Sequence, residues 1–325
     1  MKIKKIYKFL IILLIIIIVL LIKSKSIYVF ETENKQIYLI QISSINSGNV
    51  VNKFQYYNEN GKIIKEEKFE DSGDVSYSCT NMNYIYSFGP GGLYKTDSIN
   101  METIKLSDED INIVKFYNNK MYYFVNNGFK SNGYESKICT ENECIKVDFF
   151  ILDFAIYNNK YYILGMDSLY VYNVSNDLIK KIDLSDFGAY QKILEIQNKI
   201  FIVNESRFYE IKEEKIDFFS DNHRIKDLNF KSYKNSKGEQ YIIDNDMKKI
   251  LKIELLDNSM NIKEEKDISS QFKISYAFNL NERIGYRIDY EKKEIIISEL
   301  NNNILAKFNI NIHRNEAIFK IYKLK

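Results

Sequence analysis

A turn signal recurs about every forty residues along this chain, each time directly before a segment rich in Tyr and Ile. The successive steps between turns are 49, 36, 40, 39, 39 and 44 residues. Asn and Gly suit such corners because both tolerate the positive φ angles of tight hairpins. A repeat of this length limits the chain to an array of similar units. The turns fall at Asn34-Lys35, Asn83, Asn119-Lys120, Asn159-Lys160, Asn198-Lys199, Lys237-Gly238 and Asn281-Glu282.

Each unit divides into four short strand-like segments. The clearest unit, 150–184, contains FILDFAIYN, KYYILGM, SLYVYNV and LIKKIDL, and the units at 111–149 and 192–219 follow the same plan. In four consecutive units an apolar residue follows the turn at a constant offset of ten, which predicts hairpins with strands of matched length. These residues are Leu93, Phe129, Leu169 and Phe208.

Composition and alternation both favour β-structure. Tyr occurs 26 times and Phe 21 times, and both fit a pleated, half-buried surface. In LYVYNV, Leu169 and Val171 alternate with Tyr170 and Tyr172, as in a strand. With 45% hydrophobic residues the chain can bury a core, so disorder of the whole chain is excluded.

Four strands per unit, forty-odd residues per unit and about seven units resemble a β-propeller of the exported bacterial type. The resemblance covers roughly residues 27–325 and concerns architecture alone, because the Gly-His and Trp-Asp pairs of WD repeats and the recurring double glycine of kelch repeats are missing. It implies an all-β fold of about seven four-stranded antiparallel blades. Six or eight blades are the alternatives, because the first and sixth units are irregular. A β-sandwich, two small β domains or a β-solenoid are the competing architectures.

The end of the chain predicts how such a ring closes. EAIFKIYKL, residues 316–324, follows the last unit as one further strand. We expect it to complete the first blade beside residues 36–42. In the alternative, residues 27–31 supply that strand and the tail is an addition.

The amino terminus predicts a membrane anchor. Residues 1–26 carry six lysines and no acids, and an uncharged run extends from Phe9 to Ile22. Residues 6–22 span about 25 Å at ~1.5 Å per residue, enough for a thin bilayer if Lys8 extends to the interface. The lysines before the run predict a cytoplasmic amino end, so residues 27–325 would form an extracytoplasmic domain of a single-pass membrane protein.

Two alternatives to an uncleaved anchor remain. A signal peptide would be cut near Ser24-Lys25-Ser26, although this site lacks alanine. A buried core helix would normally show a polar face, which this run lacks. The anchor and the signal peptide both place the body outside the cytoplasm.

The charge distribution argues against nucleic acid as a partner. The formal net charge is +2, but six lysines lie in the first 25 residues and leave 40 basic against 44 acidic groups in the rest. A mildly acidic body without basic runs binds phosphate backbones poorly.

No motif of a known active site stands out. The two histidines, His223 and His313, lie in different units without zinc-ligand spacing, so we interpret them as loop or surface residues. The sequence 88–92, FGPGG, lacks the Lys-Ser/Thr of a phosphate loop and predicts a wide hairpin turn. The run 244–246, DND, begins like a calcium loop, but Lys248 and Lys249 oppose a cation. We therefore predict no catalytic, cofactor or metal residues.

Cys139 and Cys144 flank a four-residue hairpin loop in KICTENECIK. Residues that close such a loop face each other, with Cβ atoms about 4.5–5.5 Å apart, and a disulfide needs about 3.8 Å. An exported domain permits oxidation, so we predict a structural disulfide here, with two ordinary strand cysteines as the alternative. The third cysteine, Cys79, stays outside that bond.

These observations favour a non-catalytic function. We predict a membrane-anchored propeller that binds a protein, a peptide or a cell-envelope ligand through loops on one face. The alternative is an exported enzyme of the glycosidase, lyase or lactonase type with carboxylates in the axial channel. Three or more acids or histidines converging in the channel would favour the enzyme.

Overall fold

The computed structural model describes residues 36–324 apart from 47, 82, 131–132, 174, 188–191, 205, 213–214, 223–229, 235–239, 245–248, 257–258, 268–272, 278–281, 290, 300–302, 311–312 and 314. The described part contains strands and one short 3-10 helix, Ser185–Phe187, but no α-helix. None of its helical segments has the length and apolar character needed to cross a bilayer. The predicted anchor at 6–22 lies outside these residues.

The described residues form 28 strands. The first eleven are β1 (Ile37–Asn46), β2 (Asn49–Asn58), β3 (Ile63–Asp71), β4 (Tyr77–Asn81), β5 (Tyr84–Gly89), β6 (Gly92–Asp97), β7 (Glu102–Ser107), β8 (Ile113–Tyr117), β9 (Lys120–Lys130), β10 (Gly133–Cys139) and β11 (Cys144–Val147). The next eight are β12 (Asp153–Tyr157), β13 (Lys160–Leu164), β14 (Ser168–Asn173), β15 (Leu178–Asp183), β16 (Lys192–Ile196), β17 (Lys199–Asn204), β18 (Arg207–Lys212) and β19 (Lys215–Asp221). The last nine are β20 (Phe230–Lys234), β21 (Gln240–Asp244), β22 (Lys249–Leu256), β23 (Ser259–Asp267), β24 (Lys273–Ala277), β25 (Glu282–Asp289), β26 (Glu294–Glu299), β27 (Ile304–Asn309) and β28 (Glu316–Lys323).

These strands pair into seven antiparallel groups of four within the described part of the chain. Five groups are separate sheets of consecutive strands, and an eight-stranded sheet of order β27-β26-β25-β24-β28-β1-β2-β3 contains the other two. Those two groups meet through a two-residue parallel pairing of β24 with β28. We call each group a blade: blade 1 is β28-β1-β2-β3, blade 2 is β4–β7, and blades 3 to 7 follow in chain order. This is the predicted propeller arrangement, with seven blades.

The last strand completes the first blade. β28 pairs antiparallel with β1 from Tyr38↔Lys323 to Ser44↔Glu316, so the expectation for residues 316–324 is confirmed. Glu316 receives the ammonium of Lys53 on β2 and, at 2.9 Å, the backbone N–H of His313. Burial alone would raise the pKa of Glu316, but these two donors lower it. The carboxylate therefore stays ionised and holds the start of the closing strand.

The core lies between neighbouring blades, since inner strands such as β12 and β13 are covered on both faces. On β1, Tyr38 and Ile40 pack against residues of blade 7 such as Phe308. Ile37 and Leu39, on the other face of the strand, pack against blade 2. The predicted alternation in β14 is also found, because Leu169 and Val171 face blade 5 while Tyr170 and Tyr172 face blade 3. Burial on both faces explains why apolar and aromatic residues occur at both the odd and the even positions of a strand.

Three of the recurring turns, all among the described residues, have the conformation that their residues predicted. The loops joining the first two strands of blades 3 and 4 are the pairs Asn118-Asn119 and Asn158-Asn159, and all four residues have positive φ, between 46° and 61°. Gln197-Asn198 of blade 5 does the same at 48° and 62°. These are the angles of a type I′ hairpin, which matches the right-handed strand twist. We call the ends of the blades that carry these turns the lower face.

The turn at 88–92 differs from its prediction. Gly89 pairs with Gly92, so the loop is a tight two-residue turn, Pro90-Gly91, and the prediction of a wide turn is wrong. The glycines allow close approach: a Cβ on Gly91 would lie 2.2 Å from the carbonyl oxygen of Gly73 in the link from blade 1. Gly92 also adopts a φ of 111°. Here glycine serves packing between blades rather than loop width.

Candidate binding pocket between blades 2 and 3

A cavity of about 390 Å³ opens at the lower face where blade 2 meets blade 3. We call it the blade 2–3 pocket. Its blade 2 wall comes from the end of β4 and from β5 and β6, and its blade 3 wall comes from the two lower turns of that blade. The lining residues are Asn81, Tyr84, Tyr86 and Lys95 on blade 2, and Asn119, Lys120, Met121, Glu141 and Asn142 on blade 3.

The blade 2 wall is aromatic and carries one cation. Tyr84 and Tyr86 lie two residues apart on β5 and therefore share a face. The Tyr86 ring is buried and packs on Phe116 of blade 3, with ring centroids 4.9 Å apart. Lys95 is the cross-strand partner of Tyr86, and its Nζ lies 4.0 Å from the centroid of the Tyr84 ring. This cation–π contact favours a position of the ammonium at the pocket wall.

The blade 3 wall is built from two tight turns. Asn119 belongs to the type I′ turn described above. Met121, two residues later, is buried at the pocket. The second turn, 140–143, is held by Thr140: its N–H donates to the carbonyl oxygen of Glu143 at 2.8 Å, and its Oγ1 accepts the N–H groups of Asn142 and Glu143 at 3.2 Å. These bonds order the backbone of the turn that carries Glu141 and Asn142 at the pocket.

The predicted cysteine pair closes this second turn. Cys139 and Cys144 are paired across β10 and β11 with Cα atoms 4.0 Å apart, and their Sγ atoms lie at bonding distance. Cys139 is buried, whereas Cys144 is exposed. Formation of this disulfide in the protein stays a prediction. The bond would add a covalent clamp to a turn that lines the pocket.

Mass spectrometry of the native protein tests this bond. We expect protein alkylated before extraction to yield, without reduction, a peptide in which Cys139 and Cys144 carry no label. A sample reduced before alkylation is the control and should carry two labels. The Cys139→Ser/Cys144→Ser variant should lose about 2 kcal/mol of unfolding free energy in the chain-entropy model, because the closed loop is short. Recovery of both cysteines as alkylated thiols in the unreduced sample would contradict the prediction.

The charges of the pocket are only partly compensated. Lys120 and Glu143, both on blade 3, form an ion pair with Nζ and Oε1 3.3 Å apart. Within the described ranges, no ion pair joins Lys95 or Glu141 to another side chain of the protein. Burial, followed by the charge of Glu141, raises the pKa of Tyr86 to about 12. Tyr86 therefore remains a neutral phenol that can donate or accept a hydrogen bond.

A second polar cluster joins the first strands of blades 3, 4 and 5. The ammonium of Lys115 lies 2.5 Å from Oδ1 of Asp153, and it also donates to the carbonyl oxygen of Phe154 at 2.5 Å. The other carboxylate oxygen of Asp153 accepts the N–H of Ile193 at 2.9 Å. The Asp153 side chain is 4% exposed. Because the lysine, the carboxylate and the backbone groups satisfy one another, we assign this cluster to blade packing.

Of the histidines and acidic residues considered from sequence, those that the structure describes are not brought together in a site. His313 is exposed and uses its backbone N–H, while His223 and most of the run 244–246 lie outside the described residues. Over the described part of the chain, no three His, Cys, Asp or Glu side chains converge in a way that could hold a metal. The pocket residues were missed, although their turns were not: Asn119-Lys120 was one of the repeat markers, and Glu141-Asn142 lies inside the cysteine hairpin.

Comparison with known proteins supports the fold and goes no further. No protein-family model matches this chain, and neither does any curated protein sequence. Among solved structures, the WD40 domain of coronin from Toxoplasma gondii is similar with a TM-score of 0.51 and 10% identity, over 86% of this chain and 81% of that one.

Two enzymes show weaker likeness. Virginiamycin B lyase from Staphylococcus aureus has a TM-score of 0.45 and 9% identity over 76% of this chain and 89% of that one. Dihydro-heme d1 dehydrogenase NirN has a TM-score of 0.46 and 8% identity over 86% of this chain and 75% of that one. These neighbours are β-propeller proteins. At such identities the likeness shows the fold alone, and the chain is a β-propeller protein.

Proposed function

We propose that this chain is a membrane-tethered, extracytoplasmic binding module and that the blade 2–3 pocket is its ligand site. The observation that carries the proposal is the pocket itself, in which turns and strands bring to one cavity aromatic rings, amides, and two charges, Lys95 and Glu141, that have no ion-pair partner among the described residues. Its volume of about 390 Å³ lies within the range of ligand sites, which is roughly 300–1,000 Å³.

The construction of the pocket suits binding. The blade 2 side chains stand on paired strands, and the blade 3 side chains stand on hydrogen-bonded turns. A ligand would therefore meet groups that are already ordered, so little side-chain entropy would be lost on binding. The amide side chains of Asn81, Asn119 and Asn142 each offer a donor and an acceptor. These three amide side chains can form hydrogen bonds with a polar ligand such as a peptide.

The membrane tether rests on the sequence. The lysine-flanked run within residues 1–26 supports an anchor through 6–22 and export of residues 27–325. Such a protein would reside in the cell membrane with its amino end in the cytoplasm. A tether of this kind would keep the pocket near the membrane surface, where a protein, peptide or cell-envelope ligand would be met.

Site-specific photo-cross-linking in whole cells tests the ligand site. A benzophenone amino acid replaces Asn142, which is exposed on the pocket wall, in the full chain. The matched control replaces Ser175, which is exposed in the turn between the third and fourth strands of blade 4. We expect a discrete cross-linked product at position 142 that disappears when Tyr84 is also changed to Ala. Equal products at both positions, or none at 142, would reject the pocket as the ligand site.

A further inference from the structure

We infer that the ligand of the blade 2–3 pocket is a dipolar peptide segment, with a carboxylate that binds Lys95 and an ammonium or N–H donor that binds Glu141. This inference rests on the proposed function and specifies its ligand class. It follows from the positions of the charges: one cation on the blade 2 wall and one carboxylate on the blade 3 wall, neither paired within the described residues.

The ammonium of Lys95 is positioned to bind an anion. Its ammonium lies over the Tyr84 ring, 4.0 Å from the centroid, which holds the side chain in place through the ring face. An ammonium has three N–H donors, and a ring face satisfies them only weakly. A ligand carboxylate would therefore gain charge-assisted hydrogen bonds from a lysine whose position is already fixed.

Glu141 provides the opposite charge. It lies in the turn that Thr140 orders, and its carboxylate is close enough to Tyr86 for its charge to raise the pKa of that phenol. Lys120, the remaining cation of the pocket, already forms an ion pair with Glu143. Glu141 is thus left to accept an ammonium or an amide N–H from the ligand.

The combination of charges selects the ligand class. A purely anionic ligand would meet Lys95 but would be repelled by Glu141, and a purely cationic ligand would have the converse problem. An extended peptide advances about 3.4 Å per residue, so a cavity with an edge of about 7 Å accommodates roughly two residues with a charge at each end. The three asparagine side chains of the pocket match the donors and acceptors of the peptide groups between those charges.

Binding of short labelled peptides to the detergent-solubilised full chain tests this inference by fluorescence anisotropy. The main probe is an acetylated and amidated pentapeptide with Glu and Lys separated by one Gly. In two matched probes, Gln replaces either the Glu or the Lys. We expect the dipolar probe to bind about tenfold more tightly than either neutralised probe, which is the scale of one charge-assisted hydrogen bond.

Protein variants assign each charge to its partner. In Lys95→Gln, we expect the preference for the peptide Glu to disappear while the preference for the peptide Lys remains. In Glu141→Gln, the opposite should hold. The control is Lys181→Gln, because Lys181 also lies over a tyrosine ring, that of Tyr170, but in blade 4. It should leave all three affinities unchanged.

The outcomes separate the ligand class from the site. If all three probes bind equally, or if Lys95→Gln retains the full preference for Glu, the dipolar class is wrong. The site itself would stand in that case if Tyr84→Ala abolishes binding or if cross-linking at position 142 succeeds. If no probe binds while cross-linking succeeds, the dipolar peptide is again rejected and the site is kept. Failure of both experiments rejects the proposed function as well.

Discussion

Removal of residues 316–325 is expected to abolish the cooperative unfolding of the whole protein. β28 provides the first strand of blade 1, and Ile318, Ile321 and Tyr322 of this strand, together with Leu324 directly after it, are at most 5% exposed. Full burial of such side chains contributes about 1.5–3 kcal/mol each, so together they contribute as much as the total stability of a typical domain, about 5–15 kcal/mol. Without this strand blade 1 also exposes the pairing edge of β1. Urea unfolding followed by circular dichroism measures the loss.

A pair of isoleucine variants measures the contribution of β28 to stability without shortening the chain. Ile321 of β28 is fully buried, whereas Ile304 of β27 is 63% exposed. We expect Ile321→Ala to lower the free energy of unfolding by about 2–5 kcal/mol and Ile304→Ala to change it by about 0.5 kcal/mol or less. Equal effects of the two substitutions would show that β28 does not pack in the core.

Replacement of Asp153 by Ala is expected to destabilise the protein by about 3–5 kcal/mol, because it leaves a partly buried lysine without its counter-charge. The substitution also removes the acceptor of the Ile193 N–H, which ties blade 4 to blade 5. Among the described residues, Lys115 would keep two carbonyl oxygens as hydrogen-bond acceptors, Phe154 O at 2.5 Å and Ile193 O at 3.4 Å. The urea midpoint of unfolding measures the change.

Two further variants distinguish loss of charge balance from loss of packing. Lys115→Met combined with Asp153→Asn removes both charges and keeps a neutral acceptor, so it should recover much of the stability lost in Asp153→Ala. Asp186→Ala, a change at an exposed aspartate in the link from blade 4 to blade 5, should be nearly neutral. If the double variant is as unstable as Asp153→Ala, the charge pair is not the cause.

Much of the fold was predictable because its signals are local. The pairs Asn118-Asn119 and Asn158-Asn159 form type I′ turns since asparagine accepts positive φ, and these turns fix the hairpin register of their blades. Strand alternation was equally local. In a propeller the repeat also determines the long-range packing, because each unit meets only its neighbours. Closure by residues 316–324 could be predicted from a count of strands.

The site was not predictable in the same way. The pocket joins Tyr84 and Lys95 to Glu141 and Asn142, which are about fifty residues apart in the chain and meet only because blades 2 and 3 pack face to face. No motif spans that separation. The local signals were the repeat marker Asn119-Lys120 and the cysteine hairpin, which each marked a turn without showing what it faces. The prediction of a wide turn at 88–92 was wrong for a related reason. Glycine is needed there because of the close contact with Gly73 in the preceding link, which the loop sequence alone does not show.

The most direct test of the closed ring measures the contact between its two ends. Ser43 of β1 and Ala317 of β28 are directly paired although 274 positions separate them in the chain. In the full chain with Cys79→Ser, we expect Ser43→Cys and Ala317→Cys to be joined by a short thiol cross-linker, whereas Ser43→Cys with Lys307→Cys on β27 should not be. Cross-linked peptides containing positions 43 and 317 would support the closed propeller. If the 43/317 pair does not react while each single cysteine takes up label in the unfolded protein, the ring is not closed by its last strand.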